Sequence, residues 1–317
     1  MRALVHDAPG DPDVLHLADV PLPAIFGSEF LIRVHAAGLN PIDAKTRAGR
    51  GVAAGIHSYP AILGQDFSGV IVTSPYAAHP LQPGDEVFGM VSVPRYSGTF
   101  AEYVSVPELS LARKPAALSH VEAAAVPVAA LTAWGAVNDV ARAHDGQRML
   151  IHAGSGGVGH FAVQFAALSG AHVIATGSAR NLEWLRTLGA AEVIDYSTQR
   201  FEEVTDNIDV VIDLIGNVHD DTGTRSLAVL KHGGLLVNIP TGSWPNLMAD
   251  AAAAGIRATG YKLAPDARTL ATIAALIDVG DVRVEIDTVF GLADAAAAHR
   301  ALEAGHTRGK IVIAVAG

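Results

Sequence analysis

One stretch, RMLIHAGSGGVGHFAVQFA over 148–166, constrains the fold of this chain more than any other. It opens as a short apolar run and closes as an apolar helical pattern, with Gly154, Gly156 and Gly159 between them in a G-x-G-x-x-G spacing. A strand that passes through such a turn into a helix is the start of a dinucleotide-binding βαβ unit. Gly154 permits the tight turn. Gly156 lets the backbone approach a pyrophosphate with no Cβ in the way, and Gly159 lets the helix pack close to the strand. Ser155, Gly157 and Val158 complete the loop. Its free amides and the positive end of the helix suit an anion. The bland alternative is a glycine-rich strand–helix turn that holds nothing.

The strand–helix texture of this stretch recurs along the next 75 or so residues. Strand-like runs AHVIATG (171–177), AEVIDY (191–196), IDVVIDLIG (208–216) and GLLVNIP (234–240) alternate with helical patterns NLEWLRTLGA (181–190) and TRSLAVLKHG (224–233). Short, nearly continuous apolar strands are what a parallel sheet covered on both faces requires, so a doubly wound α/β domain is expected. The first ~115 residues read differently. FLIRVHAAG (30–38), SGVIVTS (68–74), GDEVFGMVSV (84–93) and TFAEYVSV (99–106) are short alternating runs between Gly and Pro, the pattern of a compact β-barrel or sandwich. The change comes at Ser119, which with Glu122 fits a capping box ahead of an apolar stretch, AAAVPVAALTAWGAV (123–137), read as a buried helix. The last ~55 residues return to helix–strand pieces, and their periodicity allows either an extension of the parallel sheet or a return to the N-terminal domain. Ala clusters at 251–254 and 295–298 read as helix formers at packed positions.

Composition removes several function classes. Lys and Arg number 22 against 32 Asp and Glu, a net charge of −10, which opposes a nucleic-acid surface. No apolar run reaches the roughly 18–20 residues that span a bilayer. The absence of cysteine excludes a disulfide framework, a thiolate nucleophile and a cysteine-based zinc site. Asp7, Asp11 and Asp13 stand where a signal peptide would be apolar, so a cytoplasmic protein is expected.

The end of the second strand of the α/β domain speaks to the cofactor. NAD-selective sites place Asp or Glu there, whereas this chain has TGSARN (176–181). Ser178 and Arg180 offer a hydroxyl and a guanidinium where a 2′-phosphate would sit, which favours NADPH. The alternative for Arg180 is a solvated residue at a helix start.

With these motifs in place, the chain resembles the zinc-independent branch of the medium-chain dehydrogenase/reductase superfamily, the quinone oxidoreductase and enone reductase group. The likeness rests on GLNPIDAKTRAG (38–49), YPAILGQDFSGVI (59–71), PGDEVFG (83–89), GTFAEYV (98–104), LTAWGAV (131–137), AGSGGVG (153–159), LGAAEVIDY (188–196) and RGKIVIAV (308–315). It implies an α/β protein with a GroES-like β-barrel catalytic domain over 1–120 and 265–317, and a Rossmann NADPH-binding domain over 121–264. Zinc-dependent members carry a Cys in the first motif and Gly-His-Glu in the second. This chain has Asn40 and Gly64-Gln65-Asp66, poor substitutes as zinc ligands, so no metal is expected. Without a Lewis acid, what remains feasible is hydride donation to an acceptor that is already electrophilic, a quinone or an α,β-unsaturated carbonyl.

The resemblance also implies roles by position. Lys45 is the candidate donor to the acceptor oxygen, its alternative being a surface lysine paired with Asp43. Asn40 would hold the nicotinamide region and is grouped with Lys45 as catalytic. Thr132 would approach the nicotinamide from the interdomain helix. Tyr196 would lie by the adenosine phosphate. Ile215, Ile239 and Pro240 would line the cofactor strand ends, and Arg308, Gly309 and Lys310 would border the cleft. Tyr59 is a candidate substrate contact, and Asp43 either braces its loop or touches substrate. Loops 50–58 and 93–98 are expected to wall the pocket. The segment IRATGYKL (256–263) reads as an edge strand through which a homodimer would form. An NADPH-dependent reductase of a small electrophilic acceptor is the leading reading. The alternatives are an enoyl-thioester reductase of a biosynthetic pathway and a non-catalytic NADPH-binding sensor.

Overall fold

A computed structural model of the chain describes residues 1–95 and 97–315. They form two compact units, Met1–Leu131 with Ala264–Gly317, and Thr132–Leu263. In the first, β1 (Arg2–His6), β2 (His16–Asp19) and β4 (Ala61–Ile62) make a small sheet in the order β2-β1-β4. The larger sheet is organised by β3 (Glu29–Leu39), which pairs with β5 (Asp66–Thr73) and with β7 (Tyr103–Pro107); β6 (Glu86–Met90) and β8 (Leu111–Arg113) extend it beyond β5. Phe30, Ile32 and Val34 alternate inward along β3 and meet Phe67, Val87, Phe100 and Val104 in one buried cluster. Truncating a buried phenylalanine of this kind costs about 3–5 kcal/mol. Helix α1 (Pro41–Arg47) starts directly after β3, with Pro41 at its first turn, where no amide hydrogen is needed.

Helix α2 (His120–Ala124) begins at the expected box. The Ser119 amide donates to Glu122 Oε2 at 2.8 Å and the Glu122 amide donates to Ser119 Oγ at 3.3 Å. The single buried helix expected over 123–137 is instead broken. Helix α3 (Pro127–Trp134) is separate from α2 and is followed by a π-helical turn at Gly135–Val140. Pro127 lacks the amide hydrogen that would continue α2, and it disfavours helical backbone at the residue before it.

The second unit is a parallel sheet of β9 (Arg148–Ile151), β10 (His172–Gly177), β11 (Glu192–Asp195), β12 (Ile208–Asp213), β13 (Leu230–Asn238) and β14 (Arg257–Gly260). Helices α4 (Gly159–Leu168), α5 (Leu182–Thr187), α6 (Phe201–Val204), α7 (Thr222–Val229) and α8 (Leu247–Ala253) fall between consecutive strands. The order β11-β10-β9-β12-β13-β14 is the 3-2-1-4-5-6 arrangement of a doubly wound dinucleotide-binding fold. One expectation is corrected here: Leu230-Lys231-His232-Gly233 does not continue α7. Leu230 pairs with Ile208 and is buried, so the chain is already in β13, and Gly233 takes a φ of +74° within it.

The chain then forms α9 (Ala267–Asp278), capped by Asp266, whose Oδ1 accepts from the amides of Arg268 and Thr269; β15 (Ile286–Gly291), α10 (Ala295–Glu303) and β16 (Lys310–Ala314) come after it. β16 pairs antiparallel with β3, Ile311 opposite Leu39, and β15 adds outside it. The ambiguous last segment thus completes the first unit's sheet. Ala295 and Ala298 are fully buried, whereas of the 251–254 cluster only Ala251 packs inward. No helix among the described residues is long and apolar enough to cross a membrane.

Candidate active site

Every candidate cofactor residue of the second unit's strand ends lies at the carboxyl end of a parallel strand. The Gly154–Gly159 loop comes after β9, Ser178 and Arg180 after β10, Tyr196 after β11, Ile215 after β12, and Ile239 and Pro240 after β13. This is the edge at which open α/β sheets bind ligands. A Cβ on Gly159 would lie 2.1 Å from the Ala153 carbonyl, and one on Gly154 would press on the Ala175 side chain at 3.0 Å. Gly159 is demanded by packing, while Gly154 is tightly seated. A Cβ on Gly156 would meet only the Ala153 carbonyl, at 3.3 Å, so it is on the open side of the loop. Ala153 enters the turn with a left-handed φ of +48°, and its amide is held by Thr176 Oγ1 at 3.1 Å.

Two features of this edge carry no signal in the sequence pattern. Asn181 is buried, and its Nδ2 donates to Ser155 Oγ at 3.1 Å and to Ser178 Oγ at 3.2 Å. Both hydroxyls act as acceptors toward Asn181, which leaves their own protons to donate elsewhere. The other is a clamp. Asp213 Oδ1 accepts from the amides of Ile215 (2.9 Å) and Gly216 (2.8 Å), and its Oδ2 accepts from Asn238 Nδ2 (2.9 Å). It fixes the ends of β12 and β13 to each other, and with them the loops that carry Ile215, Ile239 and Pro240. The helix end, the open Gly156 and the hydroxyl-lined end of β10 suit a dinucleotide diphosphate. Arg180 and Tyr196 are exposed, while Thr132, on α3, is buried.

In the first unit four buried groups form one network. Lys310 Nζ donates to Leu39 O (2.9 Å), to Asn40 Oδ1 and, at 3.4 Å, to Asp66 Oδ2. Asn40 Nδ2 donates to the same Asp66 oxygen at 2.9 Å, and Asp66 Oδ1 accepts from the Val128 amide at 2.7 Å. The Asn40 amide nitrogen donates to Asp43 Oδ2 at 2.9 Å. Asp43 therefore braces the start of α1. Burial raises its pKa to about 7, against the pull of its backbone hydrogen bonds. Burial likewise raises Asp66 and lowers Lys310, and each charge opposes the shift of the other. Asn40 and Asp66, which stand in the two motifs where zinc-dependent members carry metal ligands, are thus engaged around an ammonium. The Arg308 guanidinium pairs with Glu285, its Nε 2.7 Å from Oε1, and Gly309 turns with a φ of +75° where a Cβ would lie 2.3 Å from the Glu285 carbonyl.

Lys45 is half-buried on α1, and among the described residues no hydrogen bond or ion pair engages its ammonium. The pairing with Asp43 is not formed. Burial, assisted by the nearby Arg50 guanidinium, holds the Lys45 pKa below the usual lysine value. Tyr59 is 39 % exposed, with its ring edge-on to His6 at 5.3 Å. The loops on either side of it and around Pro94 enclose a cavity of about 380 Å³. Tyr96, in the 93–98 loop expected to wall the pocket, lies outside the described residues.

Comparison with known proteins agrees with this geometry. Residues 27–116 match the alcohol dehydrogenase GroES-like domain and residues 188–313 match a family described as zinc-binding dehydrogenase. The chain is 35% identical to the mitochondrial NAD(P)H oxidoreductase RTN4IP1 of Mus musculus, over 99% of this chain and 89% of that protein. It is 34% identical to the chloroplastic NADPH-dependent alkenal/one oxidoreductase of Arabidopsis thaliana, over 99% and 79%. A solved structure of the quinone oxidoreductase from Coxiella burnetii superposes with a TM-score of 0.92 at 38% identity, covering 100% of this chain and 99% of that one. The chain is an oxidoreductase that belongs to the quinone oxidoreductase-like group of the medium-chain dehydrogenase/reductase superfamily.

Proposed function

We propose that this protein is an NADPH-dependent reductase of quinones or α,β-unsaturated carbonyls that works without zinc. The observation that carries the reading is the commitment of Asn40 and Asp66 to the Lys310 ammonium. A metal ligand set has no room for that internal cation, and without a Lewis acid the acceptor must be electrophilic by itself. The names of the relatives, an alkenal/one oxidoreductase and a quinone oxidoreductase, agree with such acceptors.

The Gly154–Gly159 loop, Ser155 and Ser178 would hold the dinucleotide, with Arg180 toward its 2′-phosphate. Bound NADPH supplies the hydride. Lys45, half-buried and without a partner among the described residues, is the group on this chain that would meet charge developing on the acceptor oxygen and deliver a proton there. Asn40 is held in one orientation by Asp66 and Lys310, and its role is to keep that end of the catalytic unit rigid. Residues 308–310 would act chiefly through their backbone, since the Arg308 and Lys310 side chains have partners within the first unit. A cytoplasmic homodimer completes the reading, with β14 as the pairing edge.

The test is NADPH consumption with 1,4-benzoquinone, an alkenal and an enoyl thioester after exhaustive EDTA treatment, alongside elemental analysis. Turnover of the quinone or alkenal is expected. Turnover of the thioester alone moves the protein to a biosynthetic enoyl reductase. Cofactor binding without turnover of any acceptor leaves a sensor, and restoration by Zn²⁺ refutes the metal-free reading.

A further inference from the structure

The two loops that enclose the cavity of the first unit carry cations and no acid. Residues 44–65 contain Lys45, Arg47, Arg50 and His57 without one Asp or Glu, and residues 87–101 contain Arg95 without one. In a chain of net charge −10 these runs stand against the trend. Arg47 is withdrawn, being buried and paired with Glu303. The carboxylates that flank the first run, Asp43 and Asp66, are turned into the buried network, and those that flank the second, Glu86 and Glu102, pair with Lys114 and Arg2. At the cavity, His57, Ser58, Arg95 and Ser97 are hydrogen-bonding groups at the surface, while Ile56 and Val93 form an apolar wall. Among the described residues that line it, none is acidic. A cavity of about 380 Å³ with one apolar side and a rim of N–H and O–H donors fits a ligand that is apolar at one end and anionic at the other.

We propose that the acceptor bears a carboxylate or a phosphate, and that Arg95, with His57, Ser58 and Ser97, holds this anion at the cavity rim. The proposal rests on the reading of the protein as a reductase whose acceptor meets this unit. It narrows the acceptor from any activated enone to an anionic one. Lys45 and Arg50 lie on the same acid-free run and add to the positive potential that draws such an acceptor in.

The test compares 6-oxohept-4-enoate with its methyl ester, the same enone with and without charge at a carboxyl that is not conjugated with it. The kcat/KM ratio of carboxylate to ester is expected to favour the carboxylate and to fall as salt is raised, because exposed charges are screened beyond about 8 Å at physiological ionic strength. In Arg95→Ala the ratio should drop about 10-fold, the scale of one charged hydrogen bond at an exposed rim. Arg95→Lys keeps the charge and should retain more of the ratio. Equal loss in both variants would assign Arg95 to loop packing and overturn the proposal, as would a ratio unmoved by Arg95→Ala and by salt. The phosphate source is tested in the same way, with the enoyl thioester of phosphopantetheine against that of pantetheine. A charge preference in one pair names the anion, and a preference in neither overturns the inference. Should wild type turn over no acceptor at all, the reductase reading fails while the subsite is still read by ligand-observed NMR. Binding of 6-oxoheptanoate that is lost in Arg95→Ala supports it, and no binding to wild type overturns it.

Discussion

Replacing Lys45 by Met removes a charge while keeping much of the side-chain length, and the structure allows its effect to be divided between catalysis and stability. The ammonium is half-buried with no partner among the described residues, so its loss strands no carboxylate and breaks no hydrogen bond. Burial already disfavours its charged form, and the Arg50 guanidinium adds to that. A neutral thioether there should leave the melting temperature unchanged or slightly raised. If the ammonium meets charge that appears on the acceptor oxygen only as hydride arrives, its contribution belongs to the transition state. Loss of one acid or oxyanion donor should then lower kcat for an enone by roughly 10- to 1,000-fold, with NADPH affinity near wild type. A strongly electrophilic quinone needs less help and should slow much less. The lysine pKa lies below its usual value, so the alkaline limb of kcat/KM for the enone should fall below pH ~10.4 in wild type and vanish in the variant. Steady-state rates with both acceptors, a pH profile and a thermal melt check this. If both acceptors slow equally and the melting temperature drops, Lys45 is a structural residue of α1. If neither slows, proton delivery on this chain does not pass through it.

Arg180→Ala should raise KM for NADPH by about 10-fold, corresponding to a charged hydrogen bond of about 1–2 kcal/mol, and leave NADH nearly unaffected. Equal weakening of both cofactors would assign Arg180 to the shared half of the dinucleotide. Gly159→Ala places a Cβ 2.1 Å from the Ala153 carbonyl, so the loop backbone must move. A loss of about 1–3 kcal/mol in denaturant unfolding and weakened cofactor binding are expected, and an unchanged midpoint would contradict the packing argument. Asp43 has a folded-state pKa of about 7, raised from 3.8, so the folded chain prefers the protonated carboxyl. The stability from that preference is fully present below pH 3.8 and is lost as pH rises through about 7. Between these limits the group contributes a fall of up to about 1.4 kcal/mol per pH unit. Asp43→Asn should remove that slope while Asp66 and Lys310 remain in both proteins, and parallel pH–stability curves would refute the assignment.

The parts of this molecule that were legible in its sequence are those built by near neighbours. The Gly154–Gly159 turn, the Ser119–Glu122 box and the apolar parallel strands are each specified within a few residues, and each formed where the local pattern placed it. The break at Pro127 is also a local signal, masked in the pattern by the apolar run around it. The buried network is of another kind. Asn40 meets Asp66 across 26 positions and Lys310 across 270, a distance over which no periodicity speaks. Lysine is almost never fully buried unless paired, so nothing local marks Lys310, expected at the border of the cleft, as the buried cation of a network. Here the antiparallel pairing of β16 with β3 sets Ile311 opposite Leu39 and carries the preceding ammonium to the Leu39 carbonyl and the Asn40 amide oxygen. All three donors of the ammonium then have acceptors, and removing the lysine would leave Asp66 as a buried carboxylate without its cation, a loss of about 3–5 kcal/mol. The same pairing explains why the final strand belongs to the first unit. Its apolar residues fill the core beside β3, and its first residue supplies the ammonium that Asn40 and Asp66, separated in sequence, share.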